Sequence, residues 1–371
     1  MPANNLLKVG IIGCGRIAGH HCDSIVKTEN AELIAVCDIE IEKAISYSKK
    51  YEVKHYCSYH EMLKMHPEIN TVAIITPSGM HLEHAVDVIR RYKKNIIIEK
   101  PTLMKPSQFE AVRKLALESN IKIYPVFQNR HNKAVQRTKL ALQSSELGRI
   151  HCVSVRVRWC RTDKYYQLSP WRGTFSMDGG CLANQGIHHI DLLQYLGGKV
   201  RCVSSLHKTI GSNIEVEDVA VAVLEFEEGH LGILEVTTAA RPHDYEASIS
   251  LVCEKGLAQI GGIAVNELQV FTPEPSACIE FSEDFSGNIY GNGHSKVYEE
   301  IVKSLNESQP FSVSIEEAES TIQLLNSFYI SDETRSWVDV SNAGDSTRLG
   351  SENELLSSMY KINDYEKSEV K

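Results

Sequence analysis

The sequence predicts an α/β protein of two domains: an N-terminal doubly wound parallel sheet and a C-terminal α+β domain with a large, mostly antiparallel, open-faced sheet. Three observations support this fold class. The chain has 371 residues, which is enough for two domains at about 100–200 residues each. Short apolar runs alternate with helical patterns as far as about residue 126. Beyond that point, apolar and polar residues alternate with period two over several segments.

The N-terminal domain, residues 1–126, is predicted from five short aliphatic runs. These runs occupy residues 7–12, 31–37, 71–75, 95–98 and 121–126. Near-continuous apolar strands are typical of a parallel sheet whose two faces are both covered by helices. The longer periodic segments between the runs supply those helices, as in a doubly wound domain.

The C-terminal domain, residues 127–340, has a different pattern. A helical stretch is followed by period-two alternation and then by two closing helices. These segments lie at 133–145, then at 151–159, 218–227, 230–238 and 246–253, and finally at about 294–306 and 315–334. Such alternation is typical of an antiparallel sheet with one buried face. An open sheet face exposes a large apolar patch unless another subunit covers it, so we expect a homodimer or homotetramer.

The last residues, 341–371, are rich in Ser, Asn, Asp and Glu. One short apolar cluster within them consists of Leu355, Leu356, Met359 and Tyr360. This cluster could dock on the body of the protein as a helix. The polar composition around it favours a loose C-terminal tail, and that is what we expect.

Composition restricts the possible partners. The chain has 39 Lys+Arg against 48 Asp+Glu and a net charge of −9, which favours a small-molecule partner over nucleic acid or an anionic membrane. No apolar run approaches the ~18–20 residues that span a bilayer. Residues 1–8 lack the features of a signal peptide, so we expect a cytoplasmic protein. The ten cysteines contain no C-x-x-C pair, which predicts reduced, mostly buried thiols and no metal site.

Gly13-Cys14-Gly15-Arg16-Ile17-Ala18 directly follows the first predicted strand and opens a helical pattern. This is the G-x-G-x-x-G/A fingerprint of a dinucleotide-binding Rossmann domain: Gly13 makes the tight turn, and Gly15 lets a pyrophosphate approach the backbone. Asp38 ends the second strand, where a carboxylate can bind the adenosine ribose and repel a 2′-phosphate. The predicted cofactor is therefore NAD. A structural glycine turn with a surface aspartate is the alternative.

Two further segments follow the 71–75 and 95–98 runs, at the edge where open α/β sheets bind ligands. They are Thr76-Pro77-Ser78 and Glu99-Lys100-Pro101. Burial and a nearby cationic nicotinamide can lower the pKa of Lys100 from about 10.4, which lets it bind and polarise a substrate oxygen. The alternative for Lys100 is a surface lysine. His81 either contacts the cofactor or caps a helix.

A second group of polar side chains lies at 178–193. In a helix, Asn184 and His188 lie one turn apart on the same face. His188 titrates near neutral pH and can take a hydroxyl proton; a structural histidine is the alternative for His188 and the preferred interpretation of His189. Adjacent helical residues diverge by about 100°, and no other ligands stand at zinc spacing around the pair, so we predict no zinc.

Together these motifs resemble the glucose-fructose oxidoreductase/inositol dehydrogenase (Gfo/Idh/MocA) family over about residues 6–340. The resemblance rests on the glycine turn, the segments 76–78 and 99–101, and Gly-Gly…Gly-Ile-His-His-Ile-Asp at 179–191. It implies an NAD-dependent oxidoreductase in which Lys100 and His188 form the catalytic pair beside the nicotinamide. Many members have Asp where this chain has Asn184, so proton uptake here would depend on His188 and Lys100.

The chain is similar to one branch in further motifs: the bacterial UDP-N-acetylglucosaminuronate 3-dehydrogenases of surface-polysaccharide synthesis. The shared segments are 127–130, 171–174, 184–188 and 290–294. This resemblance implies a substrate pocket lined by Lys100, Arg130, Tyr165, Arg172, Asn184 and His188. Together with the glycine turn and the strand ends, it implies a cofactor site formed by Gly13, Gly15, Arg16, Ile17, Asp38, Thr76, Pro77, Ser78, His81, Glu99 and Gln128.

The expected function is NAD-dependent oxidation of a secondary ring hydroxyl, at C3 of a UDP-linked uronic acid. One alternative is an inositol or free-sugar dehydrogenase of the same family, against which Asn184 weighs. The other is a regulator that senses the cofactor or a sugar without turnover. Such a sensor has no need of the paired Lys100 and His188.

Overall fold

The computed structural model describes residues 6–285, 291–306 and 309–362 and contains two sheets. The first is a parallel sheet of six strands in the order β3-β2-β1-β4-β5-β6. Its strands are β1 (Leu7–Ile12), β2 (Ala31–Cys37), β3 (Lys54–Tyr56), β4 (Thr71–Ile74), β5 (Asn95–Ile98) and β6 (Ile123–Pro125). The central strands are almost wholly buried, as their aliphatic sequences require. The predicted doubly wound sheet is confirmed.

Helices cover both faces of this sheet. The helices of the described chain are α1 (Ala18–Lys27), α2 (Ile41–Tyr51), α3 (Tyr59–Met65), α4 (His81–Asp87), α5 (Ser107–Ser119), α6 (Lys133–Gln143), α7 (Asp163–Tyr166), α8 (Ile187–Gly197), α9 (Ala277–Glu280), α10 (Gly293–Asn306), α11 (Ile315–Thr334) and α12 (Glu354–Ser358). Side chains of α1, α2 and α10 share one core, and those of α3, α4 and α5 belong to the other. Among these helices none combines the length and apolar character needed to cross a membrane.

The position of α10 differs from the prediction. We predicted this segment as a closing helix of the second domain, but it packs against α1 and β1. Val297, Tyr298 and Ile301 of α10 are buried in the same core as Ile11 of β1. The chain therefore returns to the first domain after it has formed the second sheet.

The second sheet has eight strands in the order β13-β12-β11-β7-β10-β9-β8-β14. These strands are β7 (Ile150–Arg158), β8 (Val200–Lys208), β9 (Val219–Phe226), β10 (Leu231–Thr237), β11 (Glu246–Cys253), β12 (Gly256–Gly261), β13 (Glu267–Phe271) and β14 (Val338–Asp339). β7 and β10 pair in parallel, and the other neighbours are antiparallel. α8 and α11 pack on one face, where alternate residues such as Ala220 and Leu224 are buried. The predicted mostly antiparallel sheet is confirmed.

The opposite face of this sheet is open in the single chain. Its apolar residues include Val221, Val223, Leu231 and Ile233, which are 45–60% exposed. Ile233 lies directly opposite Val223 in the register of β9 and β10. Arg158 and Glu235 form an ion pair at 2.6 Å beside this patch. The single chain thus carries the exposed apolar face that the alternation predicted.

Residues 341–362 pack on the body of the protein, so the expected loose tail is wrong as far as residue 362. The backbone N–H of Ser107 donates to the Asp345 carboxylate at 3.1 Å, and the Ser107 hydroxyl donates to it at 2.6 Å. The N–H of Gly350 donates to the carbonyl of Phe175 at 2.8 Å. Leu356 of α12 is 7% exposed. The docked helix, the alternative left open above, is the observed arrangement.

All ten cysteines are free thiols. Five are buried, four are partly buried and Cys57 is exposed, so the prediction of mostly buried thiols holds for half of them. Burial raises the pKa of the Cys22 thiol to about 12 and that of Cys253 to about 11. Buried thiols of this kind are unreactive packing residues.

Candidate active site

A cleft of about 1030 Å³ is lined by the carboxyl ends of the first sheet and by the second domain. The predicted site residues that line it are Gly13, Gly15, Arg16, Ile17, Asp38, Thr76, Pro77, Ser78, Glu99, Lys100, Gln128, Tyr165, Arg172, Asn184 and His188. One space therefore brings together most of the predicted cofactor and substrate residues. His81 and Arg130 have other positions, described below. Of the shared segment at 290–294, Tyr290 lies outside the described residues.

The glycine turn leaves room for a phosphate group. Gly13 has a φ of +100°, and a Cβ there would lie 2.5 Å from the carbonyl oxygen of Ile75. A Cβ at Gly15 would meet no atom within 4 Å, so the backbone borders open space. α1 begins at Ala18, and the first N–H groups of a helix attract anions. These features fit the pyrophosphate of a dinucleotide.

Asp38 connects the glycine turn to the end of β2. Its Oδ2 accepts a hydrogen bond from the N–H of Cys14 at 2.7 Å, and its Oδ1 accepts one from the N–H of Glu40 at 2.8 Å. Each carboxylate oxygen retains a lone pair for a ribose hydroxyl. Residues 39–41 are Ile, Glu and Ile, none of which can bind a 2′-phosphate. The site fits NAD.

Replacing Asp38 by Asn is expected to raise the KM for NAD about tenfold and to weaken the preference for NAD over NADP. The amide keeps the shape but loses the charge, and hydrogen bonds to charged groups contribute about 1.5–3 kcal/mol. Steady-state kinetics with both cofactors measures the change. Glu40→Gln is the matched control, because the Glu40 carboxylate pairs with Lys43; it is expected to keep the preference. An unchanged preference in Asp38→Asn would contradict the assignment.

His81 lies beneath the turn that follows β4, outside the cleft lining. It is 1% exposed. Its Nδ1 lies 2.9 Å from the carbonyl oxygen of Pro101, and its Nε2 lies 3.0 Å from that of Thr76. Burial lowers the pKa of His81, and the hydrogen bonds to these two carbonyl oxygens oppose this shift. The predicted cofactor contact is wrong: His81 joins the two strand-end segments that carry the site.

Lys100 follows β5 and reaches the second domain across the cleft. Its Nζ donates to the backbone carbonyl of Asn184 at 2.8 Å, and an ammonium group has two further N–H donors. Burial lowers the pKa of Lys100, whereas the carboxylates of Glu99 and Asp178 oppose this shift. The side chain can therefore offer hydrogen bonds to a ligand oxygen bound beside it.

Glu99 is buried behind Lys100 and bonds to two histidines. Its Oε1 lies 3.0 Å from His21 Nε2 and 3.4 Å from His294 Nε2, and its Oε2 accepts from the N–H of Lys100 at 2.9 Å. Burial disfavours the charge, but the hydrogen bonds from the histidines outweigh it and hold the pKa of Glu99 well below its usual range. His21, Glu99 and His294 also have ligand atoms within 4.8 Å of one another. Hydrogen bonds among them already satisfy the carboxylate.

His188 is the second residue of α8, which directly follows a π-helical turn at Cys181–Gly186. The π turn replaces the continuous α-helix that we assumed, yet Asn184 and His188 both line the cleft. Gln128 Nε2 lies 3.3 Å from His188 Nε2. In the described part of the chain, His188 Nδ1 and Gln128 Oε1 are buried without a partner. These two atoms fit a ligand with polar groups of its own.

The His188 ring is poised to accept a proton. Burial, and then the charge of Lys100, hold its pKa well below 6.5. The ring is therefore neutral near pH 7, and a neutral imidazole has one basic nitrogen. His189 next to it faces the Trp159 ring at 5.5 Å, and burial lowers its pKa to about 3. The histidine pair thus divides into one cleft residue and one core residue.

Asp178 is a buried carboxylate behind the Asn184 amide, and the sequence patterns had assigned it no role. Its Oδ2 accepts from the N–H of Gly173 at 2.7 Å, and its Oδ1 accepts from Asn184 Nδ2. Burial raises the pKa of Asp178 to about 6, against the opposing charges of Arg172 and Lys100. Asp178 therefore orients the Asn184 amide, and the charges of Arg172 and Lys100 both act on it.

Three arginines surround Tyr165 on the other side of the cleft. The guanidinium carbons of Arg172, Arg161 and Arg16 lie 4.5, 5.5 and 5.9 Å from its ring centre. Arg161, which was not predicted, pairs with Asp244 at 2.8 Å. Arg172 donates to the Tyr165 hydroxyl at 2.6 Å, and its buried Nε has no partner within the described ranges. This positive end suits an anionic group, because arginine binds carboxylates and phosphates well.

Arg130 is buried in the second domain and absent from the cleft lining. Its Nε and Nη2 donate to Asp191 at 2.8 and 2.7 Å, and its Nη1 donates to Glu317 at 3.0 Å. The side chains of Arg130 and Asp191 are 5% and 1% exposed. The predicted sugar contact of Arg130 is wrong, because its charge is already neutralised inside the fold.

Replacing Arg130 by Met is expected to lower the free energy of unfolding by about 3–5 kcal/mol, because Asp191 would be left buried and unpaired. Chemical denaturation measures this change. Arg172→Met is the control: it is expected to stay within about 1 kcal/mol of the parent and to raise the substrate KM instead. A loss below about 1 kcal/mol in Arg130→Met would show that the ion pair is dispensable.

Comparison with known proteins identifies the class to which this fold and site belong. Residues 7–127 match the oxidoreductase family with an NAD-binding Rossmann fold, and residues 135–259 match the GFO/IDH/MocA C-terminal domain. The chain belongs to the Gfo/Idh/MocA family and is an NAD-dependent oxidoreductase, as predicted.

Two WlbA dehydrogenases are among the similar solved structures. The WlbA dehydrogenase of Bordetella pertussis, in complex with NADH and UDP-GlcNAcA, is 30% identical with a TM-score of 0.86, covering 91% of this chain and 98% of that one. The WlbA dehydrogenase of Chromobacterium violaceum is 32% identical with a TM-score of 0.83, covering 91% and 96%. Myo-inositol 2-dehydrogenase of Thermotoga maritima is 23% identical over 257 residues, 67% of this chain and 74% of that protein. The likeness to both WlbA enzymes confirms the resemblance to their branch.

Proposed function

We propose that this oxidoreductase is a sugar dehydrogenase that oxidises C3 of UDP-N-acetylglucosaminuronic acid for surface-polysaccharide synthesis. The observation that carries the proposal is the joint position of His188, Lys100 and the Arg172 Nε, which has no partner among the described residues, in one cleft. A nucleotide-linked uronic acid supplies the secondary hydroxyl for the first two residues and negative charge for the third. The ligands named for the Bordetella pertussis enzyme are consistent with this choice.

The proposed roles follow from the charge state of each side chain. NAD, when bound, accepts a hydride from the sugar carbon. His188 takes the proton of the reacting hydroxyl, because its ring is neutral and buried. Lys100 donates a hydrogen bond to the same oxygen and stabilises its developing negative charge. Asn184, oriented by Asp178, and Arg172 hold the substrate.

The test is NADH formation by the purified protein with a panel of four compounds: UDP-N-acetylglucosaminuronic acid, UDP-N-acetylglucosamine, myo-inositol and D-glucose. We expect turnover with the first and at least a tenfold lower kcat/KM with the second, which lacks the carboxylate; a charge-assisted contact of about 1.5–3 kcal/mol predicts a loss of this size. Turnover with myo-inositol or glucose alone would favour the free-sugar alternative. Binding without turnover of any compound would favour the sensor.

We also propose that a second copy of the chain covers the open sheet face, giving a homodimer or homotetramer. The apolar residues there are large and contiguous across β9 and β10, and monomeric proteins seldom expose such a face. Sedimentation of the parent is expected to give two or four chain masses. The double variant Val223→Glu with Ile233→Glu is expected to sediment as one chain. Ile279→Glu, at an 87% exposed site on α9, is the control. A parent mass of one chain would contradict the proposal.

A further inference from the structure

The segment 353–362 lies outside both ranges that match the family, 7–127 and 135–259. It contains the short helix α12 and ends beside the cofactor cleft. Tyr360 and Ile362 both line that cleft, together with Asp38 and Arg172. A segment from the end of the chain therefore contributes side chains to the space where the cofactor binds.

Leu356 anchors this segment. It is 7% exposed and packs in one apolar cluster with Met80 and Met177, on which Trp171 and Tyr360 also pack. Met80 belongs to the turn that follows Thr76-Pro77-Ser78, and Met177 precedes Asp178. Leu355, the preceding residue, is 77% exposed. Leu356 therefore holds the segment against both domains.

Tyr360 spans the cleft from one domain to the other. Its ring packs against the cluster of Met80, Met177 and Leu356, and it lines the cleft together with Glu40 and Arg172. The next residue, Lys361, lies 3.5 Å from Glu83 at the start of α4. Met80 and Glu83 belong to the first domain, and Met177 and Trp171 belong to the second.

Glu40 stands two residues after Asp38, whose carboxylate marks the adenosine ribose of the cofactor. We infer that residues 353–362 form a cofactor-retaining strap, in which Tyr360 and Ile362 make the outer wall of the adenosine half of the NAD site. An aromatic ring and an aliphatic side chain are suited to the flat, apolar adenine. NAD and NADH must pass this wall to leave, so the strap slows their dissociation. The inference depends on the cofactor and not on the proposed sugar.

The experiment measures release of NADH from the full-length protein by stopped-flow fluorescence, with excess NAD as the displacing ligand and no sugar present. Leu356→Ser removes the anchor, and Leu355→Ser is the matched control on the same helix. We expect the NADH dissociation rate to rise about tenfold in Leu356→Ser and to stay within about twofold of the parent in Leu355→Ser. Equal dissociation rates in all three proteins would overturn the inference.

A second variant tests the wall itself and does not disturb the anchor. Tyr360→Ala removes the ring at a partly exposed position, and its thermal unfolding midpoint is measured beside that of the parent. We expect faster NADH release from Tyr360→Ala at an unchanged midpoint, with release from Tyr360→Phe close to the parent because the ring remains. If Tyr360→Ala released NADH at the parent rate, Tyr360 would not form the outer wall of the cofactor site, even if Leu356→Ser released NADH faster. Failure of the sugar assays would leave these results unaffected, since no sugar enters them.

Discussion

Replacing Lys100 by Met is expected to lower kcat about 10²–10³-fold, the usual cost of losing one hydrogen-bond donor to a developing negative charge. Met keeps most of the length and volume of the side chain but has no N–H to offer the substrate oxygen. The charges of Glu99 and Asp178 act on Lys100, and the charge of Lys100 acts on His188. Steady-state NADH formation measures the loss.

The control for this variant is Lys43→Met. Lys43 lines the same cleft but pairs with Glu40 near the adenosine end, and such a partly exposed ion pair contributes little. We expect its kcat to stay within about threefold of the parent. NADH binding by Lys100→Met is expected to remain, which assigns the loss to the chemical step. A kcat within threefold of the parent in Lys100→Met would remove Lys100 from its proposed role.

The first sheet could be predicted from the sequence because both of its faces are buried. Such strands must be aliphatic throughout, so β1, β4 and β5 appear as unbroken apolar runs. β3 was missed because it is an edge strand of three residues, Lys54–Tyr56, with no buried position. An edge strand held by backbone hydrogen bonds carries no apolar pattern from which it can be recognised.

β8 was missed for a different reason. Its inward positions include Ser205 and His207, so the buried side of the strand is not apolar. The N–H of Ser205 donates to the Ser331 hydroxyl, and the N–H of His207 donates to Asp332, both at 3.0 Å. These partners belong to α11, more than a hundred residues away in sequence. Only the tertiary structure reveals that side chains of α11 accept hydrogen bonds from the backbone of β8 at these polar positions.

The site residues divide in the same way. Those fixed by a local motif, such as Gly13, Asp38 and Lys100, line the cleft, because strand ends and turns determine their positions. Arg130 was misassigned because its partner Asp191 is distant in sequence, and a buried ion pair leaves no mark in a single sequence. Asp178 received no role for a different reason: its partners Gly173 and Asn184 are only five and six residues away, but the turn and the π-helical segment that bring them together follow neither a helical nor a strand period.

The net charge of −9 opposes the binding of NAD and of the proposed UDP-sugar, and local groups in the cleft offset it. Arg16, Arg161 and Arg172 gather around one tyrosine, while the glycine turn and the start of α1 provide N–H groups. Acidic residues that line the cleft are already bonded: Glu99 to histidines, Glu40 to Lys43 and Asp244 to Arg161. The field that a ligand meets in the cleft is therefore more positive than the chain as a whole.

Replacing His188 by Asn is expected to lower kcat about 10²–10⁴-fold, because the amide cannot take up a proton. The dependence of kcat on pH in the parent protein should reflect the protonation states of His188 and Lys100. Oxidation needs neutral His188, so kcat falls as the pH drops through a pKa that burial holds well below 6.5. It also needs protonated Lys100, so kcat falls as the pH rises through a pKa that burial lowers from 10.5. A broad plateau across neutral pH is expected, measured as kcat against pH.

One variant separates the alkaline fall in kcat from the acid fall, which are the two limbs of the pH profile. Lys100→Arg keeps the charge with a pKa above about 12, so its alkaline limb is expected to move to higher pH while the acid limb stays.

His189→Asn is the control for His188→Asn, because His189 is a core residue outside the cleft lining and its replacement should affect stability more than kcat. If His189→Asn lost activity as severely as His188→Asn at a temperature where both are folded, the proton acceptor would not be His188. An acid limb centred above pH 6.5 in the parent would likewise show that another group takes the proton.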